Sequence, residues 1–181
     1  MADIVILLAA TGMRIGEALA IRWEDVDVTS TPITVTVSGT LVEKAGAFFR
    51  QGFAKSARGK RTFQLTDDWI CEMVLRRHAN QQETSTNAVF ATRNGTFVRP
   101  SNFRDDLRRA LGAAGITEKI TPHAFRRTVA TGISDHFTEK ASSLQLGHSS
   151  PETTRKYYIE RATLVPDYSS GLTHMAPAER D

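Results

Sequence analysis

Two short segments of the sequence each pair a cationic side chain with a second polar one at helical spacing. The segment TGMRIGE holds Arg14 and Glu17 three positions apart, on one face of a helix that begins after a glycine. The segment HAFRR holds His123 and Arg126 at the same spacing, at the predicted start of another helix. Taken singly, each pair has an ordinary explanation, because an Arg-Glu pair is usually a surface ion pair and a histidine near a helix start is usually structural.

A third segment, LGHSSPETTRKYY, adds a histidine and a candidate nucleophile. His148 lies in a Gly-His turn, and Tyr157 follows nine positions later. Tyr157 and its neighbour Tyr158 also fit a role as packing aromatics. The segment therefore becomes informative only in combination with the other two.

Together the three segments supply the groups that cleavage of a phosphodiester requires. Such a site needs planar cationic donors for the non-bridging oxygens, and arginine suits this task better than lysine. It also needs a nucleophile and a proton donor for the departing alkoxide. Two arginines, two histidines and a tyrosine in these segments, with a lysine from the stretch AKSARGKRTFQL, provide these groups. No carboxylate cluster with metal-ligand spacing is visible in the sequence. The combination favours attack on a phosphodiester by a tyrosine without a metal.

The sequence resembles the catalytic domain of the tyrosine recombinases, the phage-integrase type of enzyme, over roughly residues 1–165. In that family an Arg follows a Thr-Gly turn, a His-x-x-Arg box comes next, and a Leu-Gly-His box precedes the nucleophilic Tyr by nine positions, the order found here. The family also carries a catalytic Lys on the hairpin between its second and third strands. The stretch AKSARGKRTFQL matches that location, with Lys55 best aligned and Lys60 as the alternative, because loop length varies.

The resemblance implies a reaction that needs no cofactor. Tyr157 would attack the scissile phosphate, forming a 3'-phosphotyrosyl bond and releasing a 5'-hydroxyl, while Lys55 would protonate the leaving oxygen. Attack by the 5'-hydroxyl of a partner strand would complete strand exchange. Because the phosphotyrosyl bond conserves the energy of the phosphodiester, neither ATP nor a metal is required. Tyr158 is the alternative nucleophile.

The resemblance also implies which residues bind the phosphate. Arg14 and Arg126 would hold the non-bridging oxygens and stabilise the charged transition state. His123 would assist the tyrosine or hold an oxygen, and His148 would hydrogen-bond the same phosphate. Glu17 would have a supporting role, orienting Arg14.

A basic stretch over residues 50–61 favours binding of a polyanion. It holds five basic residues and no acidic one, in a chain of net charge +3 and pI ≈ 9.2. We expect double-stranded DNA as the partner, contacted by this stretch and by one arginine beside the His-x-x-Arg box. The predicted DNA-binding residues are Arg50, Arg58, Lys60, Arg61 and Arg127.

Hydrophobic periodicity predicts an α+β fold, mainly helical, with a small three-stranded antiparallel sheet. Residues 33–38 alternate with period two, Phe63 and Leu65 repeat that pattern, and residues 23–28 form the third predicted strand. Residues 42–53 are rich in Gly and Phe, and we expect a DNA-contacting loop there.

Helical periodicity accounts for much of the remaining chain. An apolar helix over residues 4–10 is interrupted by Thr11-Gly12. Later helices are predicted to begin after Thr66, after Pro100-Ser101 and at Thr121, with Pro122 in the first helical position of the last of these.

Composition limits the class of protein. The sequence is 40% hydrophobic and 24% charged, as is common in soluble globular proteins. No apolar run approaches the about 20 residues that span a bilayer. A single cysteine, Cys71, excludes an internal disulfide framework and a Cys-based zinc site. We expect a cytoplasmic protein of a bacterial cell, encoded by a phage or mobile element, with no membrane partner.

We expect one catalytic domain over residues 1–165 and a C-terminal tail over residues 166–181 that is exchanged between subunits or disordered. The family's N-terminal DNA-clamp domain is expected to be absent from this chain. Other recombinase subunits are expected partners, as a tetramer on DNA in the active full-length complex. Residues 161–172 occupy the position where the family often passes a segment to a neighbouring subunit.

Three other interpretations remain open at this point. A type IB topoisomerase-like enzyme uses a similar set of residues to relax supercoils as a monomer. A catalytically inactive or truncated DNA-binding remnant of a mobile-element integrase would keep the fold without the reaction. A basic helical scaffold without a nucleic-acid role would leave the ordered boxes as coincidence. The motifs encode neither the target DNA sequence nor the choice between phage integration, transposon movement and dimer resolution.

Overall fold

The computed structural model describes residues 1–44, 47–53, 59–147, 163–165, 167, 169–172 and 175. The mainly helical α+β prediction is confirmed over these residues. The helices are α1 (Ala2–Thr11), α2 (Ile15–Ala18), α3 (Asp68–Ala79), α4 (Pro100–Ala113), α5 (Pro122–His136) and α6 (Glu139–Leu146). The strands are β1 (Val26–Asp27), β2 (Ile33–Val37), β3 (Gly39–Lys44), β4 (Ala47–Gly52), β5 (Arg61–Leu65) and β6 (Thr163–Val165). Two 3₁₀ turns cover Trp23–Asp25 and Ser169–Gly171.

The main sheet is built from segments whose apolar residues alternate. β2 and β5 pair antiparallel, with Val35 opposite Phe63, and every second residue of each strand is buried. Both strands were predicted from their period of two, and both predictions are confirmed. β6 pairs in parallel with β5, so the sheet has the order β1-β2-β5-β6 and one strand more than predicted. Three residues are too few to reveal a period in the sequence.

The third predicted strand is shorter than expected. Only Val26–Asp27 pairs with β2, while Trp23–Asp25 forms a 3₁₀ turn. The carboxylate of Asp25 accepts a hydrogen bond from the backbone N–H of Arg22 at 3.0 Å. This side-chain acceptor stabilises the turn at the start of the segment, so the strand begins later than predicted.

The expectation of a loop over residues 42–53 is wrong for its described part. β3 and β4 form a separate antiparallel hairpin, with Leu41 opposite Arg50 and Val42 opposite Phe49. Leu41 is buried, and Phe48 packs against the main hydrophobic core, so the aromatic residues pack a sheet surface. The Gly and Phe content was therefore a poor guide to the segment's shape.

The helices enclose the core that positions the site. Leu7 and Leu8 of α1, with Ile70 of α3 and Phe103 of α4, are buried in one cluster with the apolar face of the sheet. Among the described residues, no helix has the length and apolar character needed to cross a membrane.

Two predicted helix starts have different outcomes. Thr121 is the N-cap residue of α5 with Pro122 in the first turn, as predicted. The prediction for Thr66 is off by one residue, because Asp67 is the N-cap residue of α3. The Thr66 hydroxyl instead donates to the carboxylate of Asp167 at 2.8 Å. This bond ties the end of β5 to the C-terminal segment.

The described part of the C-terminal segment packs within the same chain. Leu172 is buried in a second cluster with Val129 and Ile133 of α5 and Ala141 of α6. Gly171 lies under α5, where a Cβ atom would come within 3.4 Å of the Gly132 carbonyl oxygen. These contacts bury Val129 and Ile133 of α5 within the same chain.

Gly12 closes α1 in a conformation that suits glycine alone. Its φ is 66°, and its N–H donates to the Leu8 carbonyl. A Cβ atom here would lie 2.9 Å from side-chain atoms of both Leu146 and Val129. We expect Gly12→Ala to lower the free energy of unfolding by about 2 kcal/mol or more, because a left-handed conformation and an overpacked contact both oppose it. Urea denaturation measures the change.

Gly112 in α4 is the matched control for this substitution. A Cβ atom at Gly112 would meet nothing within 4 Å. We therefore expect Gly112→Ala to raise the free energy of unfolding by about 0.5–1 kcal/mol, the usual gain within a helix. Equal effects of the two substitutions would contradict the account of the α1 terminus.

Candidate active site

Arg126 joins the other two motif segments from its position on α5. Its side chain is buried, and its Nη1 donates to the Gly12 carbonyl at 2.8 Å while its Nη2 donates to the Leu146 carbonyl at 2.6 Å. Burial, reinforced by the charge of Arg14 and opposed by that of Glu17, lowers the pKa of Arg126 from its usual value to about 10. The guanidinium therefore remains charged at neutral pH.

Arg14 and Glu17 form a tighter unit than a surface ion pair. Arg14 is the N-cap residue of α2, and its backbone N–H donates to Glu17 Oε2 at 2.9 Å. Its Nη1 also donates to Glu17 Oε1 at 3.0 Å, with 52% of the Arg14 side chain still exposed and only 3% of that of Glu17. The buried carboxylate thus orients an arginine whose side chain reaches the surface.

Glu17 holds a second arginine that was predicted to bind DNA. Arg61 donates through Nη2 to Glu17 Oε2 at 2.8 Å and through Nε to the Gln145 carbonyl at 3.1 Å. With 1% of its surface exposed, Arg61 does not present its guanidinium to an external phosphate in this arrangement. We correct its predicted role from DNA contact to internal ion pairing. The sequence held a signal for this, because period two places Arg61 on the same buried face as Phe63.

These contacts determine the ionisation of Glu17. Burial alone would raise its pKa, but the hydrogen bonds and charge of Arg61, together with Arg14, outweigh burial and lower it below the usual 4.5. The folded state therefore binds fewer protons at this site than the unfolded chain. The resulting stability is fully present above about pH 4.5 and is lost as the pH falls through the lowered folded-state pKa.

We expect Glu17→Gln to lower the free energy of unfolding at pH 7 by about 3 kcal/mol, because it leaves buried Arg61 without its counter-charge. The difference in the free energy of unfolding between Glu17→Gln and wild type should become smaller as the pH falls below 4.5, the ordinary pKa of a glutamate. Urea denaturation across a pH series measures it. Glu24→Gln is the control: Glu24 pairs with Arg22 but its side chain is 59% exposed, and we expect a change under about 1 kcal/mol. A difference in the free energy of unfolding that stays constant on acidification would contradict the lowered pKa of Glu17.

The motif residues converge on one cleft of about 320 Å³. Arg14, His123 and Arg126 all line it, although they come from two distant segments of the sequence. Arg104 of α4 lines the same cleft and was not predicted. Nothing in the sequence separated it from Arg108 and Arg109 on the same helix, which the structure pairs with Asp105 and Asp106.

The remaining predicted residues have varied positions. Arg50 is turned inward, with Nε donating to the Ala20 carbonyl at 2.9 Å and Nη2 paired with Asp25 at 3.3 Å, so its predicted DNA contact is also corrected. Arg127 is exposed on α5 and Lys60 is half-buried before β5. The other predicted positions lie outside the described residues: Lys55, Arg58, His148, Tyr157 and the alternative Tyr158.

The cleft has the chemistry of a binding site for an oxyanion. Arg14 and Arg104 contribute exposed cationic side chains, and the guanidinium of Arg126 reaches it from the interior. Arginine donors in a partly desolvated cleft bind phosphate oxygens more strongly than the same donors in water. Leu146, whose carbonyl Arg126 holds, stands two positions before His148 in the sequence.

The chain is similar to known integrases and tyrosine recombinases. The sequence model described as "Phage integrase family" matches residues 2–163. The integrase of Staphylococcus phage L54a is 28% identical over 160 residues, which cover 83% of this chain and 45% of that protein. Tyrosine recombinase XerC of Bifidobacterium longum subsp. infantis is 30% identical over 161 residues, which cover 86% of this chain and 42% of that protein.

Solved structures show the same fold. The Tn1549 transposon integrase in complex with a circular intermediate DNA matches with a TM-score of 0.70 and 21% identity, covering 82% of this chain and 50% of that one. XerH site-specific recombinase bound to difH substrate matches with a TM-score of 0.60 and 17% identity, covering 82% of this chain and 39% of that one. The chain spans less than half the length of the two curated relatives, 45% and 42%.

Proposed function

Because the chain belongs to the phage integrase family, we propose that it is the catalytic domain of a site-specific DNA recombinase that cuts and rejoins DNA through a tyrosine. The observation that carries this proposal is the cleft itself. Arg14, His123 and Arg126 line it together, and Arg126 is fastened to the carbonyl of Leu146 at the end of α6. The three motif segments are thus linked through named contacts.

The proposed reaction begins with the phenolic oxygen of Tyr157. It attacks the scissile phosphorus, a new tyrosyl O–P bond forms, and the bond from phosphorus to the 5'-oxygen breaks. The phenolic proton passes to a base, for which His123 is the candidate in the cleft. Lys55, with Lys60 as the alternative, gives a proton to the leaving 5'-oxygen. The products are a 3'-phosphotyrosyl chain and a free 5'-hydroxyl.

Arg14 and Arg126 stabilise the charge that develops on the non-bridging oxygens during this step. Pre-positioned donors of this kind contribute about 100- to 1000-fold in rate each. His148 adds a hydrogen bond to the same phosphate. Since the phosphotyrosyl bond stores the energy of the original phosphodiester, the reverse attack by a 5'-hydroxyl needs neither ATP nor a metal.

The partner that we propose is double-stranded DNA. The integrase of Tn1549 and the XerH recombinase, which share the fold, have been solved with DNA. In this chain, Arg104 beside the cleft and the exposed Arg127 are suited to backbone phosphates. Other recombinase subunits on the same DNA, in a tetramer, would supply the partner strand.

Covalent trapping on DNA tests the proposal. The probe is a library of duplexes of randomised sequence, each nicked a few nucleotides 3' of the central position, so that the short released strand diffuses away. The chain is incubated with it in EDTA, and protein–DNA adducts that resist denaturant are isolated and sequenced. We expect adducts enriched in one sequence. Relaxation of supercoiled plasmid without joining of two sites would favour the topoisomerase, and DNA binding without adducts the inactive module.

A further inference from the structure

Arg61 contacts three separate segments of the chain. Besides Glu17 on α2 and the Gln145 carbonyl on α6, its Nη1 donates to the Gly59 carbonyl at 3.2 Å. Gly59 lies within the basic stretch, one position before Lys60 and four after Lys55. One guanidinium is therefore bonded to the carboxylate that orients Arg14, to the end of α6 and to the lysine-bearing stretch.

The geometry around Arg61 is specific to arginine. Its planar fork presents donors in several fixed directions, which a lysine ammonium at the end of a flexible stem does not reproduce. The guanidinium also lies 5.2 Å from the centre of the Phe63 ring. With 2% of the side chain exposed, its position is fixed by these partners rather than by solvent.

Gly147, next to the end of α6, lies directly against this guanidinium. Gly147 has a φ of 63°, and a Cβ atom there would come within 3.3 Å of Arg61 Nη1. Gln145, whose carbonyl Arg61 holds, donates through its side-chain amide to the Thr11 carbonyl at 3.1 Å. The bond from Gln145 connects α6 to the Thr-Gly turn before Arg14. Arg61 therefore binds two segments, α2 and α6, of which α6 is itself bonded to the turn that precedes α2.

We propose that Arg61 is a positioning residue, which fixes Gly59, the neighbour of Lys60, relative to the phosphate-binding arginines. The inference rests on the proposed function for its catalytic consequence. Arg61 touches neither DNA nor the reacting atoms in this role. Its effect passes through the Gly59 carbonyl to the proton donor and through Glu17 to Arg14.

The test separates positioning from stability by changing the leaving group. Wild type, Arg61→Met and Arg61→Lys are assayed in single turnover on a trapped duplex, with an ordinary 5'-oxygen or a 5'-bridging sulfur at the scissile phosphate. Sulfur leaves without a proton, so a misplaced lysine does not slow that substrate. Arg77→Met is the matched control, because Arg77 also binds a carboxylate, Asp3, and a backbone carbonyl, that of Val89.

We expect Arg61→Met to slow cleavage at least tenfold more on the oxygen linkage than on the sulfur linkage, with Arg61→Lys intermediate. Arg77→Met should leave the ratio of the two rates at its wild-type value. Equal slowing on both linkages, or none, would overturn the proposed link to the proton donor. Cleavage of both linkages is measured at a temperature below the thermal unfolding transition of every variant.

Amide hydrogen exchange without DNA gives a second, independent measurement. We expect Arg61→Met to accelerate exchange selectively at residues 59–61 and 145–147, compared with Arg77→Met. Uniform acceleration across the domain would overturn the positioning role. Wild type that cleaves neither linkage would refute the proposed function instead, and the exchange pattern would then decide whether Arg61 still couples these segments.

Discussion

An Arg126→Ala variant is expected to cleave DNA about 100- to 1000-fold more slowly than wild type, because it loses a pre-positioned donor to the developing phosphate charge. The same change removes the bonds that hold the Gly12 and Leu146 carbonyls. Leaving those groups without donors costs about 1–3 kcal/mol each. We therefore expect a lower thermal midpoint as well as slower cleavage, measured by circular dichroism and by single-turnover adduct formation.

Two further variants separate these effects. Arg126→Lys keeps the charge, but one ammonium group does not replace a planar fork that serves two carbonyls and a phosphate. It should recover part of the stability and little of the rate. Arg109→Ala makes the same change in net charge at an exposed pair with Asp106, and should cleave at close to the wild-type rate. Arg126→Ala that stays folded and cleaves at the Arg109→Ala rate would contradict the proposed phosphate contact.

Tyr157→Phe is expected to abolish covalent attachment to DNA, since the substitution removes only the hydroxyl oxygen that would form the bond to phosphorus. Binding to the trapped duplex should remain within about twofold of wild type, because the aromatic ring is retained and a single hydroxyl contributes little to phosphate contacts. Denaturing gels measure the loss of covalent attachment. Filter binding, at the same salt concentration for both proteins, measures the affinity for the duplex.

Tyr158→Phe serves as the paired variant for this result. A helix turns by about 100° per residue, so adjacent tyrosines point in different directions. We expect Tyr158→Phe to retain adduct formation. Loss with Tyr158→Phe and retention with Tyr157→Phe would keep the reaction class but move the nucleophile by one position.

The ordered motifs predicted three of the residues that line the cleft, but not Arg104. Arg14, His123 and Arg126 are identified by residue type and spacing, and the structure brings them together. The bonds from Arg126 to the Gly12 and Leu146 carbonyls could not be predicted, because backbone acceptors leave no trace in residue type.

The basic stretch was harder to interpret because composition does not distinguish an internal arginine from an exposed one. Arg50 and Arg61 are each paired with a carboxylate from an earlier part of the chain, that of Asp25 and that of buried Glu17. Only the three-dimensional packing pairs them. For Arg61 the alternation of β5 gave a hint, since buried arginines are rare and require such a partner.

Local structure was predicted best where the pattern was long. β2 followed from alternation over residues 33–38, β5 from the repeat of that pattern at Phe63 and Leu65, and α5 from Thr121 and Pro122 at its start. β6 has three residues and pairs with a strand about a hundred positions away in sequence, in a register that only tertiary contacts define. Short elements of this kind depend on their neighbours rather than on local preference.

The most direct test of the proposed tyrosine mechanism is to identify the amino acid that carries the DNA. The wild-type chain is trapped on the nicked duplex in EDTA, digested with protease and nuclease, and the nucleotide-linked peptide is sequenced by mass spectrometry. The proposed mechanism predicts a 3'-nucleotide joined through its phosphate to Tyr157 and a 5'-hydroxyl on the released strand. A linkage to a residue other than a tyrosine, a 5'-phosphate attachment or an adduct that forms only with added metal would contradict it.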